Sequence, residues 1–306
     1  MKILIAGSGG TGGCIGGFLA YKGFDVTFIA RGVHLDKMKH DGLKIKSGLK
    51  GEITVSPVKA CESNAYNEKA DVIFLCTKSY SIDEIIPLLR KASHKDTIII
   101  PIINGIGIGD EVNEKFSDAI ILDGCIYIAS FIAAPGEIIH LGKGFRIVYG
   151  PRKDQTVPNE KLQEIKEVLL SSGIDAVVSD NIKRDTFQKF SFVSAFAACG
   201  AYYNITAKDI QENPEYRNMF TNLITEVLDI AKVMDLSFNV DLLPVNLNII
   251  DTLLPDTTSS LQKDLFAGKK TEMDGLIFEV VRLGVKYGVP TPNYSLVAKK
   301  FGFPNQ

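Results

Sequence analysis

Six residues near the start of the chain, Gly7-Ser8-Gly9-Gly10-Thr11-Gly12, match the pattern GxGxxG. The first glycine of such a loop makes a tight turn. The second lets the backbone approach a pyrophosphate, and the third lets a helix and a strand pack closely. The anion then rests on the unpaired N–H groups and the positive dipole end of the following helix. The pattern carries this meaning only between a strand and a helix. Here it follows the apolar run Lys2-Ile3-Leu4-Ile5-Ala6 and opens a helical pattern over 12–22, with Ile15, Phe18 and Leu19 on one side. At the end of the next strand-like run, 24–30, an acidic residue would bind a ribose 2′-OH. The sequence has Ala30-Arg31-Gly32 instead. A guanidinium pairs with a 2′-phosphate and a carboxylate repels it. Arg31 therefore favours NADP(H) over NAD(H), the alternative being a solvated surface charge. A third candidate is Lys189, in Arg184-Asp185-Thr186-Phe187-Gln188-Lys189-Phe190, ahead of an apolar, small-residue helix from Phe190 to Ala201. A lysine at the polar edge of such a helix either points an acid into a cleft or snorkels over apolar neighbours.

The elements that must carry these residues follow from periodicity. Short apolar runs at 2–6, 24–30, 71–76 and 97–103 alternate with helical patterns, which predicts βαβ units and a parallel sheet. Ser81-Ile82-Asp83-Glu84 has capping-box form and opens a helix through Leu89, with Pro87 able to kink it. Strand-like segments at 119–131, 137–141 and 145–149, with turn signals at Pro135-Gly136 and Gly142–Gly144, predict an antiparallel extension of that sheet. From about Asn181 the pattern turns helical. The clearest helix runs from Pro214 to Met234, and others are expected at 184–200, 241–253, 257–267 and 272–287, the last ending at Gly288-Val289-Pro290. The fold class is thus α/β: a Rossmann-type dinucleotide-binding domain over 1–177 and an all-helical domain over 178–306.

Composition narrows the partners. Apolar residues make up 45% and charged residues 23% of 306 residues, ordinary for a soluble globular chain. A formal net charge of −2 gives no electrostatic reason to expect nucleic acid or an anionic membrane. The longest apolar stretch, Ala119–Ala134, is broken by Asp123, Gly124 and Ser130, and the N-terminus lacks a signal-peptide core. The five cysteines and four histidines are scattered without metal-ligand spacing. Small buried thiols in a reducing cytosol are the expectation, with a cytoplasmic location and no metal. The 214–234 stripe suits a homodimer face, and core packing accounts for it equally well.

Read together, the motifs resemble the 2-dehydropantoate 2-reductase (ketopantoate reductase) family over nearly the whole length. The shared landmarks are the loop 7–12, Arg31 with the following GVHLDKMKHDGLKI, Thr77-Lys78, Asn104-Gly105, and Gly136-Glu137-Ile138-Ile139-His140. They continue with Asp185 to Lys189, Ser259-Ser260 with Asp264, Thr271-Glu272-Met273-Asp274, and VKYGVPTP at 285–292. The resemblance implies a two-domain enzyme, its helical part of the 6-phosphogluconate dehydrogenase C-terminal type. Such an enzyme passes hydride from NADPH to the keto carbon of a 2-keto acid, in pantothenate biosynthesis if the substrate is 2-dehydropantoate. It implies that Lys189 donates the proton and that Glu272 lies near that lysine and the nicotinamide. It further implies that Asn104 touches cofactor and substrate, that Ser260 holds substrate, and that Lys78 lies near the cofactor. Read without the family, Asn104 is equally a turn residue before Gly105, and Glu272 a helix N-terminal capping residue. The chemistry is coherent: hydride addition builds negative charge on the ketone oxygen, which an ammonium stabilises and then protonates. The chain departs from the family pattern at Val193, Ala197 and Ile277-Phe278, where polar residues are expected, and this implies a more apolar or differently shaped substrate pocket. Two rivals stay open: a related dehydrogenase acting on another keto or hydroxy acid, and an NADP-binding sensor without catalysis.

Overall fold

A computed structural model describes residues 1–304, and the chain forms two compact units. One comprises 1–103 and 107–185; the other comprises 104–106 and the chain from Thr186 onward. The strands, in chain order, are β1 Lys2–Ala6, β2 Asp25–Ile29, β3 Leu43–Ser47, β4 Gly51–Val55, β5 Lys59–Cys61, β6 Val72–Leu75, β7 Ile98–Pro101, β8 Ile120–Ile121, β9 Asp123–Ala134, β10 Glu137–Gly150 and β11 Asp175–Val178. Six of them form a wholly parallel sheet in the order β5-β2-β1-β6-β7-β8. Two of its inner strands, β6 (Val-Ile-Phe-Leu) and β7 (Ile-Ile-Ile-Pro), are buried at every position, which is why they read as unbroken apolar runs.

The expected antiparallel extension does not join this sheet. After the two-residue β8, the chain leaves for a second sheet of order β11-β10-β3-β4, on which β9 pairs antiparallel with β10. Pro135-Gly136 is the hairpin turn, with Gly136 at φ +77. Gly142–Gly144 is not a second turn: β10 runs through it, with a register shift between Leu141 and Phe145. A glycine at φ +67, here Gly142, supports such a bulge as readily as a turn.

The helix after the glycine loop, α1 (Gly10–Tyr21), is buried around most of its circumference rather than on one side. Its glycines make this possible. A Cβ on Gly16 would come within 2.4 Å of Phe28 on the parallel sheet, and one on Gly17 within 2.2 Å of Ile45 on the second sheet. The helix is packed by both sheets, so its apolar residues show no single stripe. Further on, α2 (Gly32–Asp41) follows β2, and α3 (Ile82–Ala92) follows β6. The capping box expected at Ser81 does not form. A 3₁₀ turn over Ser79–Ser81 runs into α3, and the Ser81 N–H donates to the Lys78 carbonyl at 2.9 Å, so the donor that Glu84 would serve in the box is already paired. The unit is completed by α4 (Ile108–Lys115) and α5 (Asn159–Ser171).

The second unit is helical: α6 (Ile182–Tyr203, entering it at Thr186), α7 (Ala207–Glu212), α8 (Pro214–Val233), α9 (Leu242–Thr252), α10 (Ser260–Phe266), α11 (Glu279–Tyr287) and α12 (Pro292–Lys300). Among the described residues no strand lies beyond Val178. The stripe of α8, with Phe220, Leu223, Ile224, Val227 and Ile230, is spent inside the unit's own core. The same helix carries a buried carboxylate, Glu226. Its Oε1 accepts from Asn293 N at 2.8 Å and Asn293 Nδ2 at 2.6 Å, and its Oε2 from Tyr294 N at 3.0 Å. These are the first N–H groups of α12 after Pro292, and Thr291 makes no cap bond of its own. A carboxylate from a neighbouring helix therefore caps α12, although burial pushes its pKa up. Glu226→Ala should lower stability by about 3 kcal/mol, since two backbone donors lose a charged acceptor. Thermal and urea unfolding measure this; a melting temperature unchanged from wild type would remove the capping role.

Candidate functional site

The glycine loop leaves the carboxyl end of β1, and its geometry requires glycine at several positions. Gly7 has φ +106, and a Cβ on it would lie 3.0 Å from the Cys76 backbone. A Cβ on Gly12 would lie 2.0 Å from the Gly7 carbonyl oxygen, and one on Gly10 would lie 2.7 Å from Ser130 O and Phe131 Cα. Gly9 differs: it is the N-cap of α1, with φ −70, and nothing lies within 4 Å of its Cβ position. The loop is thus walled by backbone around Gly7, Gly10 and Gly12 and open at Gly9. No side chain caps α1, and its first turn holds no acidic residue to compete with an anion. Ser8 is buried, with both its N–H and its Oγ donating to the Ile29 carbonyl, at 3.0 and 2.9 Å. Thr11 stands in the first turn of α1.

Two charged residues follow the strands that lie on either side of β1 in the sheet. Arg31 follows β2, is exposed, and is the N-cap residue of α2. Lys78 follows β6, the parallel neighbour of β1, and begins the 3₁₀ turn that leads into α3. Beside it, Thr77 Oγ1 is buried without a hydrogen-bond partner, and Thr77 N lies 3.1 Å from the Cβ position of Gly7. Loops beyond the carboxyl ends of parallel strands are where open α/β sheets bind ligands. An uncapped helix N-terminus, an open glycine and an orphaned hydroxyl fit a dinucleotide phosphate.

The second unit holds the other candidates. Lys189, in the second turn of α6 within this unit, donates from Nζ to Asn104 Oδ1 at 2.7 Å. The two residues are 85 positions apart, and both are part-buried. An ammonium held by a carboxamide oxygen keeps its charge at a defined point, which is what a proton donor needs. Val193 and Ala197 follow Lys189 at four-residue steps, on one face of α6. Ala197 is 1% exposed and Ile277 0%, both in the helical core, with Val193 and Phe278 packed against it. Glu272 is 4% exposed and lies just ahead of a π turn over Asp274–Phe278 that leads into α11. Its carbonyl accepts from Leu276 N at 3.0 Å, so it stands at the N-terminal end of this helix, as the capping reading expects, with the π turn following it. π turns recur at functional sites because they redirect a short stretch of helix. This one is tied down: Ser194 Oγ donates to the Leu276 carbonyl at 2.6 Å and shares a 2.6 Å hydrogen bond with the buried Tyr294 hydroxyl. Ser260 is the first residue of α10 and exposed, while its neighbour Ser259 caps that helix in a box with Gln262.

Among the described residues, no group of three His, Cys, Asp or Glu is arranged to hold a metal, and no helix is long and apolar enough to cross a membrane. Burial pushes the Cys14 and Cys199 thiols up to about 12, so both are inert as nucleophiles at neutral pH.

The family model described as ketopantoate reductase PanE/ApbA matches residues 3–154, and its C-terminal companion matches 181–302. The chain belongs to the ketopantoate reductase family. Its relatives include the 2-dehydropantoate 2-reductase of Pyrococcus abyssi, 31% identical over 296 residues, covering 95% of this chain and 94% of that protein. The uncharacterized oxidoreductase YkpB of Bacillus subtilis is 28% identical over 278 residues, covering 90% and 89%. Among solved structures, the 2-dehydropantoate 2-reductase of Methylococcus capsulatus superposes with a TM-score of 0.86 at 26% identity, over 98% of this chain and 96% of that one. This ketopantoate reductase family member is accordingly an oxidoreductase with a Rossmann-type unit and a helical unit. Two of its structural features were not foreseen. One is the Tyr294–Ser194–Leu276 relay; the other is His34, which lay within the family-like string after Arg31 but had no visible partner.

Proposed function

We propose that the protein reduces a 2-keto acid to the 2-hydroxy acid with NADPH, with residues 1–177 as the nucleotide-binding domain and 178–306 as the catalytic domain. The observation that carries this reading is the Lys189–Asn104 hydrogen bond, which gives the lysine a fixed partner rather than a solvated position. When bound, NADPH supplies the hydride. Gly7, Ser8, Gly9, Gly10, Thr11 and Gly12 form the loop that would receive the pyrophosphate, on the N–H groups at the start of α1 and not on the Ser8 N–H, which donates to Ile29. Arg31 pairs with the 2′-phosphate, and Lys78 adds positive charge on the cofactor side. Lys189 stabilises the alkoxide as the keto carbon is reduced and passes its proton to that oxygen; solvent then restores the proton. Asn104 orients Lys189 and touches cofactor and substrate, Glu272 favours the charged lysine and contacts the cofactor, and Ser260 holds the substrate. The family membership supports the reaction class. The partly buried Val193 and Phe278, where the family pattern is polar, support a substrate with a more apolar side group than 2-dehydropantoate, whose hydroxyl needs polar partners; Ala197 and Ile277 are closed into the core. The same reading places the reaction in the cytoplasm, where NADPH is regenerated.

NADPH absorbance across a panel of 2-keto acids, from 2-dehydropantoate to branched apolar ones, tests the proposal. Turnover is expected, fastest with an apolar member. Binding of NADPH with no turnover of any member would support the sensor reading instead. Arg31→Ala should raise the KM for NADPH about 10- to 100-fold and leave that for NADH within about twofold, as expected for one lost charge-assisted pair. Equal effects on both nucleotides would remove Arg31 from the 2′-phosphate.

A further inference from the structure

His34 joins the glycine loop to the β9–β10 hairpin. Its Nε2 lies 3.0 Å from the Ser8 carbonyl oxygen, and its Nδ1 lies 3.0 Å from Gly136 N. The two partners dictate the tautomer. A backbone N–H only donates, so Nδ1 must carry a lone pair; a carbonyl only accepts, so Nε2 must carry the hydrogen. An imidazolium would present N–H to N–H at Gly136. Partial burial, which holds the pKa of His34 below the ordinary histidine value, favours the same neutral form. The neighbours leave little slack. Ser8 is held at its other polar groups by Ile29, and Gly136, at φ +77, approaches α2 so closely that a Cβ would lie 3.1 Å from Lys37 Cβ.

The consequence falls on the next peptide. In a planar trans peptide the C=O and the following N–H point in opposite directions. With the Ser8 carbonyl turned to His34, the Gly9 N–H is turned away from it, at the one loop glycine whose Cβ position is open. We propose that His34, as the Nε2–H tautomer, is a positioning residue for the dinucleotide pyrophosphate, setting the Gly9 N–H in line to donate. This rests on the nucleotide-binding reading above. It assigns His34 no contact with the nucleotide.

The test is the NADPH dissociation constant of the intact protein, by fluorescence titration, for wild type, His34→Leu and His34→Gln. A glutamine amide can accept from Gly136 and donate to Ser8 as the neutral imidazole does. His34→Leu is expected to weaken binding about tenfold, with kcat at saturating NADPH within about twofold of wild type, and His34→Gln to recover most of the affinity. Leu and Gln variants that bind as tightly as wild type would overturn the inference while leaving the nucleotide site intact. A wild-type protein that binds no NADPH would overturn the loop reading and this inference together. Should His34→Leu fail to fold, ¹⁵N-histidine spectra of the wild type decide: a His34 signal of the Nε2–H tautomer at neutral pH is expected, and an Nδ1–H or imidazolium signal overturns the proposal.

Discussion

Lys189→Ala is expected to lower kcat about a thousandfold while the NADPH dissociation constant stays within about threefold of wild type. The split follows from where the residue sits. The glycine loop belongs to the first unit, and Lys189 belongs to the second, bonded there to Asn104. Removing the ammonium takes away both the charge that stabilises the alkoxide and the proton it receives. Positioned acids contribute about 10²–10⁴-fold, and loss of an electrostatic donor falls in the same range. Lys189→Arg separates the two roles, because a guanidinium keeps the charge but cannot give up its proton at neutral pH. It should therefore recover part of the lost rate and not the rest. Asn104→Ala leaves the lysine in place without that one acceptor, and a loss of about tenfold is expected. Single-turnover absorbance of NADPH measures all three. Normal turnover by Lys189→Ala would leave the proposed reaction without its acid.

The second large effect concerns the loop itself. Gly12→Ala places a methyl 2.0 Å from the Gly7 carbonyl and 2.9 Å from Cys76 Cβ. The first neighbour is backbone, so the loop must open or α1 must move. Such overpacking costs about 1–3 kcal/mol, a fall of several degrees in melting temperature, and NADPH affinity should drop more than a hundredfold because the N–H groups no longer converge. Gly9→Ala is the matched control. Its φ of −70 suits alanine and nothing lies within 4 Å of the new methyl, so the fold should be unaffected. The methyl nonetheless stands where an anion approaches, so affinity should fall at unchanged melting temperature. Calorimetric melting with nucleotide titration separates the two. If Gly9→Ala bound NADPH as tightly as wild type, the open position would not be where phosphate enters.

How far these features could be read in advance depended on how local their causes are. The strand-loop-helix around Gly7–Gly12 was legible because turn, phosphate contact and close packing are all set within a dozen residues. The parallel strands were legible because burial on both faces writes unbroken apolar runs. The box at the start of α3 does not form although Ser81 meets the local pattern, because the 3₁₀ turn that begins before it already pairs the Ser81 N–H with Lys78. In α1 the expected side, Ile15, Phe18 and Leu19, is fully buried, and the glycine side is buried as well because it accommodates Phe28 on one sheet and Ile45 on another, a partner that periodicity does not show.

From the chain alone came the nucleotide loop, the change from alternating to helical pattern near Asn181, and, through the assembled motifs, the family and its candidate residues. Folding supplied the rest. The second sheet draws β3, β4, β10 and β11 from across the first unit. Lys189 meets Asn104 across 85 residues, and His34 meets Gly136 across 102. A hydrogen bond leaves no trace in the sequence on either side of such a gap, because many polar side chains can make it and only the packed backbone selects which two come within 3 Å.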